Sequence, residues 1–128
     1  MIGRFIVRRI RAFRHAFAGW YYVLQTQENA WLHALATVIV IALALWLRLP
    51  TRDWAVLMLA IALVWTAEFL NTALEAVVDL ASPMKHPLAK VGKDVGAAAV
   101  LIAALASMVI GFIILGPPLW QRLSILWK

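Results

Sequence analysis

Cysteine is absent from this chain of 128 residues, so no disulfide can staple it and no thiolate can hold a metal. Acidic residues are scarce, six against twelve Lys and Arg, and charged residues of both signs make up only 14%. So little polar surface cannot cover a soluble globule of this size, and 65% hydrophobic residues make the chain an integral membrane protein. The three histidines, His15, His33 and His86, are too dispersed for a zinc motif. A net charge of +6 would suit nucleic acid, yet the basic residues flank apolar segments and no nucleic-acid motif is present. Anionic lipid head groups or an anionic substrate are the expected partners. Seven Trp fit the same setting, because the indole ring favours the membrane interface.

Residues 4–25 read as an amphipathic helix lying on the membrane. At about 100° per residue, Ile6, Ile10, Phe13, Phe17, Trp20, Tyr21 and Leu24 share one face, while Arg4, Arg8, Arg11, Arg14 and His15 gather opposite. A signal peptide is excluded by the long basic stretch and by the lack of a short apolar region closed by small residues. Three hydrophobic spans follow, 31–49, 54–80 and 95–115, each long enough for the ~20 residues that cross a bilayer. "RLPTRD" and "SPMKHPLAK" separate them, and "GPP" at Gly116 to Pro118 is expected to end the last. The expected fold is an all-α membrane bundle of three crossings preceded by a surface helix, in a single domain over 1–128.

Lys and Arg set the orientation. Arg4, Arg8, Arg9, Arg11, Arg14, Lys85, Lys90 and Lys93 lie on one side and outnumber Arg48, Arg52, Arg122 and Lys128 on the other. The N-terminus and second loop are therefore expected in the cytosol and the C-terminus outside. Asp53 to Leu80 would make ~42 Å of helix, against a hydrocarbon core of ~30 Å. Its last turns must emerge or the helix must tilt, which leaves Glu68 just inside the cytosolic edge, Glu75 at the boundary and Asp79 beyond it.

Glu68, Thr72, Glu75 and Asp79 fall at i, i+4, i+7 and i+11, on one helical face with Asn71 on its shoulder. A carboxylate facing lipid costs about 2.5 to 3.5 kcal/mol on insertion scales, so this stripe should meet protein, cation or substrate. Desolvation at the bilayer edge makes a carboxylate a better proton acceptor, which suits Glu68 to take a proton from a lipid hydroxyl. Glu75, nearer the cytosol, suits a hard cation on nucleotide phosphates, and Lys93 can neutralise charge on a transferring group. The same stripe would also serve as contact between helices or as a proton or ion path. Lys93 would equally serve as a positive-inside anchor, and Asp94 as the cap of the third span. "VGKD" is no P-loop, because Pro87 stands where the first glycine is needed.

"AEFLNTALEAVVDL" (67–80), "HPLAKVGKDVGAAAVL" (86–101) and "FRHAFAGW" (13–20) resemble the prokaryotic diacylglycerol kinase family over about residues 5 to 116. The resemblance implies a homotrimer in the bacterial plasma membrane, with active sites between subunits that transfer the γ-phosphate of MgATP to a lipid alcohol. It implies Glu68 as general base, Asn71 as its supporting partner, and Glu75 as the carboxylate that binds Mg2+ and nucleotide, with Asp79 in support. Arg8, His15, Met84, Lys85, His86, Lys93 and Asp94 match nucleotide-contacting positions, although the family usually has an aromatic residue at His15.

One departure touches the metal. The family's first metal-binding Glu falls at Gln27, and the acidic Glu28 stands one step later; an amide oxygen is a weaker ligand for a hard cation than a carboxylate. Glu28 is read as substituting in part. A member that has lost activity is the alternative for which Gln27 speaks.

For the lipid, Asn29, His33 and "HPLAK" look closer to the undecaprenol kinase branch than to the classical diacylglycerol kinases. Trp31, Trp46 and Trp54 near the span ends are candidate lipid contacts and equally interfacial anchors. The expected function is ATP-dependent phosphorylation of a lipid primary alcohol, undecaprenol first and diacylglycerol as the alternative. A small oligomeric proton-coupled transporter is the reading from another class. Transport favours a carboxylate near the midplane, whereas Glu68 is expected near the edge beside a basic loop.

Overall fold

A computed structural model describes residues 2–126, with side chains from 8 to 125; Arg4, Ile6 and Lys128 fall outside the described side chains. The described chain is entirely helical outside short connections: α1 (Ile2–Thr26), α2 (Glu28–Leu47), α3 (Thr51–Ala81) and α4 (Pro87–Leu126). Three of them, α2, α3 and α4, are long and apolar enough to cross a membrane. With large apolar side chains exposed along each, Leu35, Leu59 and Phe112 among them, the protein is a membrane protein.

Two compact units make up the chain, residues 1–32 and 33–128. The first holds α1 and the opening turn of α2. Gln27 alone separates the two helices: its N–H still bonds Val23 O at 2.9 Å and its carbonyl accepts from Ala30 N–H at 3.2 Å. Glu28 starts α2, where a carboxylate suits the positive end of the helix dipole.

The second unit is an antiparallel bundle of α2 from His33 onward, α3 and α4. Neither α2 nor α3 contains glycine or proline, so nothing interrupts their hydrogen-bond ladders. α2 ends in a Schellman turn: Leu49 N–H reaches Ala44 O and Arg48 N–H reaches Leu45 O, both at 3.1 Å. Arg48 takes the left-handed conformation this turn needs, φ 54°, a place usually held by glycine. Pro50 then forbids the helix to continue and leads into α3. Ala44, Leu47, Leu57 and Leu115 close the core at this end, flanked by Trp54 and Ile114.

Ser82 ends α3, its N–H on Val78 O at 2.9 Å and its hydroxyl donating to Met84 O at 2.9 Å. α4 starts at Pro87, a residue that suits the first helical position because its missing N–H is not needed there. His86 precedes it as the cap, with Nδ1 accepting Leu88 N–H at 3.2 Å. Asp94 therefore lies inside α4, paired with Lys90 at 3.4 Å, and the expectation that it caps the third span is corrected. So is the expectation that "GPP" ends that span, since α4 carries Pro117 and Pro118 within it and runs on to Leu126. Proline's φ is helical, and two adjacent prolines remove two ladder bonds at a single place rather than at two.

Candidate active site

The polar stripe of α3 is graded by burial along its length. Glu68 is 2% exposed, Asn71 8% and Thr72 4%; Glu75 is half-buried and Asp79 is exposed. Thr72 spends its hydroxyl on the Glu68 carbonyl at 2.9 Å, which satisfies it within the helix and leaves the Glu68 carboxylate to other groups. Asn71 donates from Nδ2 to Glu75 Oε1 at 3.1 Å, while its own Oδ1 is buried and finds no hydrogen-bond partner among the described residues.

α4 closes over this region through glycine. A Cβ built on Gly96 would overlap the Asn71 amide oxygen and stand 3.1 Å from Leu74 Cδ2. The absent side chain lets the two backbones approach and seats Asn71 between them. One turn earlier on α4, Lys93 Nζ meets Asp79 Oδ1 at 2.5 Å, so the two helices are tied by charge as well. Gly92, next to Lys93 on its N-terminal side, clears Val78 at an ordinary 3.8 Å.

Around the connection, Asp79, Ser82 to Pro87, Lys90, Lys93 and Asp94 line an open pocket of about 710 Å3. Met84, Lys85 and His86 are exposed on its rim. The structure thus gathers Asp79, Met84, Lys85, His86, Lys93 and Asp94 in one place, with mixed charge that suits a polyanion carrying a cation.

In the first unit, Arg8 and His15 are exposed on α1, Glu28 is exposed and Gln27 is half-buried at the junction of α1 and α2. Trp31 is exposed. Trp46 is exposed with the Arg122 guanidinium 5.9 Å from its ring centroid, at the bundle end where Trp54 packs against the core. Trp46 and Trp54 therefore sit at the opposite end of α3 from Glu75. Among the described residues no three His, Asp or Glu side chains cluster closely enough to hold a metal ion.

Sequence reasoning used one residue only as a marker of the lipid branch and gave it no place at the site. His33 of α2 places Nε2 3.6 Å from Glu68 Oε2, and the ring stands edge-on to Trp65 with centroids 6.4 Å apart. Its spacing from the other histidines carried no signal. Its register did: His33, Thr37 and Val40 form one face of α2, polar at the end that meets Glu68 and apolar beyond.

Comparison with known proteins bears on the family of the chain. Residues 14–115 match the family model described as prokaryotic diacylglycerol kinase. A diacylglycerol kinase of Synechocystis is 47% identical over 109 residues, 84% of this chain and 62% of that protein. The undecaprenol kinase of Bacillus subtilis is 37% identical over 112 residues, 88% of this chain and 91% of that protein. The diacylglycerol kinase of Escherichia coli is 36% identical over 81 residues, 63% of this chain and 66% of that protein. The match therefore spans about two thirds or less of the Synechocystis and Escherichia coli relatives and nearly the whole of the Bacillus one. This is a family of lipid kinases rather than of transporters, and the chain belongs to the prokaryotic diacylglycerol kinase family.

Proposed function

We propose that the protein is an ATP-dependent kinase of a lipid primary alcohol, with undecaprenol as the substrate. The carboxylate of Glu68, almost fully buried in α3, is the observation that carries this reading. A lipid hydroxyl arriving in the membrane plane gives its proton to Glu68 as its oxygen attacks the γ-phosphorus, and ADP leaves. Lys93 exchanges its Asp79 partner for phosphate oxygens and neutralises charge as the phosphoryl group moves. Met84, Lys85, His86 and Asp94 receive the rest of the nucleotide; the family resemblance adds Arg8 and His15 of α1 as nucleotide contacts, on an amphipathic helix at the cytosolic surface.

Magnesium is bound in kinases by one or two carboxylates together with substrate phosphates, so a site of few protein oxygens fits it. Glu75 is the carboxylate that would hold it, kept in place by the Asn71 amide. The family resemblance alone suggests Glu28 as a further carboxylate, with Gln27 a poorer oxygen ligand beside it. When bound there the ion screens the charge of the β- and γ-phosphates. Assembly as a homotrimer, with sites completed between copies, follows from the family resemblance, as does the bacterial plasma membrane with the N-terminus in the cytosol.

Near end-to-end similarity to the Bacillus undecaprenol kinase supports undecaprenol. The higher identity to the Synechocystis protein supports diacylglycerol as a second reading. Both lipids present a primary hydroxyl above apolar chains, so generic burial of those chains does not separate them. Purified protein in mixed micelles with MgATP and each lipid in turn tests the proposal. Faster phosphorylation of undecaprenol supports the first reading and faster phosphorylation of diacylglycerol the second; no phosphorylated lipid from either sinks both.

A further inference from the structure

The pairing of His33 with Glu68 has no counterpart in the roles assigned so far. The two groups meet from different helices, 3.6 Å apart, just beyond hydrogen-bonding distance, and Glu68 is almost fully buried. His33 Nε2 is itself inaccessible to water and has no hydrogen-bond partner among the described residues. A buried ring nitrogen left unbonded is costly, and the acceptor nearest to it is the Glu68 carboxylate.

The imidazole is held in that direction by its neighbours. Thr37 donates its hydroxyl to the His33 carbonyl at 2.7 Å and accepts the Trp65 indole N–H at 3.1 Å. Trp65 in turn sets its ring at 71° to the imidazole. The Trp65–Thr37 bond ties α2 to α3 on one side of the pair, and a swing of the ring would break its edge-on contact with Trp65. Beyond His33 lies a cleft of about 120 Å3 lined by Ala36, Val40, Val64 and Ala104, with Thr37 and Ser107 as its polar side chains. Ser107 already donates to Ala60 O at 3.0 Å, so no group there competes with Glu68 for the imidazole.

We infer that His33 is a positioning residue for the Glu68 carboxylate, donating Nε2–H to Oε2 and so turning Oε1 toward the lipid hydroxyl. The inference rests on the reading of Glu68 as the group that takes the lipid proton. Closing the gap by less than 1 Å makes the bond. An oxygen already engaged by a donor is a poorer proton acceptor than its free twin, so a single donor on a carboxylate selects which oxygen reacts. A fixed imidazole also keeps the carboxylate from rotating among unproductive orientations in a site where water cannot orient it.

The test uses the full chain in mixed micelles with MgATP and whichever lipid the unaltered protein phosphorylates. His33→Leu removes the donor; His33→Gln restores an N–H at nearly the reach of Nε2. The expected result for His33→Leu is a kcat lower by about tenfold or more with KM for ATP unchanged, as loss of a hydrogen bond to a charged group implies. His33→Gln should recover most of that loss. A His33→Leu protein with undiminished kcat overturns the inference, as does a His33→Gln protein no better than His33→Leu.

A second measurement does not depend on turnover. The 15N resonance of His33 Nε2 should be that of a proton-bearing nitrogen and should move on Glu68→Gln; an unprotonated Nε2, or one indifferent to Glu68→Gln, overturns the pairing. If the unaltered protein phosphorylates neither lipid, the kinase reading fails, and this resonance alone then decides whether His33 donates to Glu68.

Discussion

Asn71 holds Glu75 one turn along α3 through an amide N–H, while its oxygen is buried against the bare backbone of Gly96 on α4. The amide is therefore oriented from both ends: its nitrogen by a carboxylate, its oxygen by the lack of room to turn. Asn71→Asp replaces the donor with an acceptor beside Glu75, and Asn71→Leu removes it. Both should lower kcat/KM for MgATP by about tenfold to a hundredfold, the range for losing a hydrogen bond to a charged group. Steady-state kinetics at varied MgATP check this, and a variant within twofold of the original would remove Asn71 from the site.

Gly96→Ala should be the most damaging glycine substitution in α4. Its Cβ meets the Asn71 oxygen and Leu74, so the helices must separate or Asn71 must turn, at a cost of about 1 to 3 kcal/mol. Gly92→Ala places its Cβ in ordinary contact, and Gly111→Ala meets nothing within 4 Å. Thermal unfolding in detergent should show a lower midpoint for Gly96→Ala alone, with activity lost alongside.

The Lys93 and Asp79 ion pair separates a structural role from a chemical one. Both side chains are partly exposed, 37% and 65%, so the pair stabilises by no more than about 1 kcal/mol. Asp79→Asn and Lys93→Met should therefore shift the unfolding midpoint little and by similar amounts. Activity should part them: Lys93→Met should lose it by a hundredfold or more, on the order expected for a charge at a transferring phosphoryl group, while Asp79→Asn keeps most of it. Equal losses from the two variants would assign Lys93 to the pair and not to phosphate.

At the junction of α1 and α2, Gln27→Glu should lower the magnesium concentration that gives half-maximal rate, and Glu28→Gln should raise it. A hard cation prefers a carboxylate to an amide oxygen, which sets both directions. Rates across a magnesium titration, after removal of the metal with a chelator, check them. If Glu28→Gln leaves both the rate and its magnesium dependence untouched, Glu28 has no part in holding the ion.

The architecture was legible because each of its signals is local. A run of about 20 apolar residues without glycine or proline makes a membrane-length helix whatever surrounds it, and α2 and α3 are such runs. The stripe from Glu68 to Asp79 was visible for the same reason, since i+3 and i+4 spacings follow from 3.6 residues per turn. Local signals misled where one residue type has two uses. Proline ends many helices, yet Pro87 opens α4 and Pro117 and Pro118 lie inside it, so Asp94 falls within the helix instead of at its cap.

Sequence by itself determined that this is a helical membrane protein with a graded set of polar groups on one of its spans. Only the tertiary structure decided which of those groups are buried and what they meet. Glu68 faces His33, Asn71 is wedged at Gly96, and Asp79 is tied to Lys93. Periodicity reports a residue's direction around its own helix axis. The partner it meets is set by how neighbouring helices slide and close on one another, and that depends on small residues such as Gly96 whose effect is felt only across the interface.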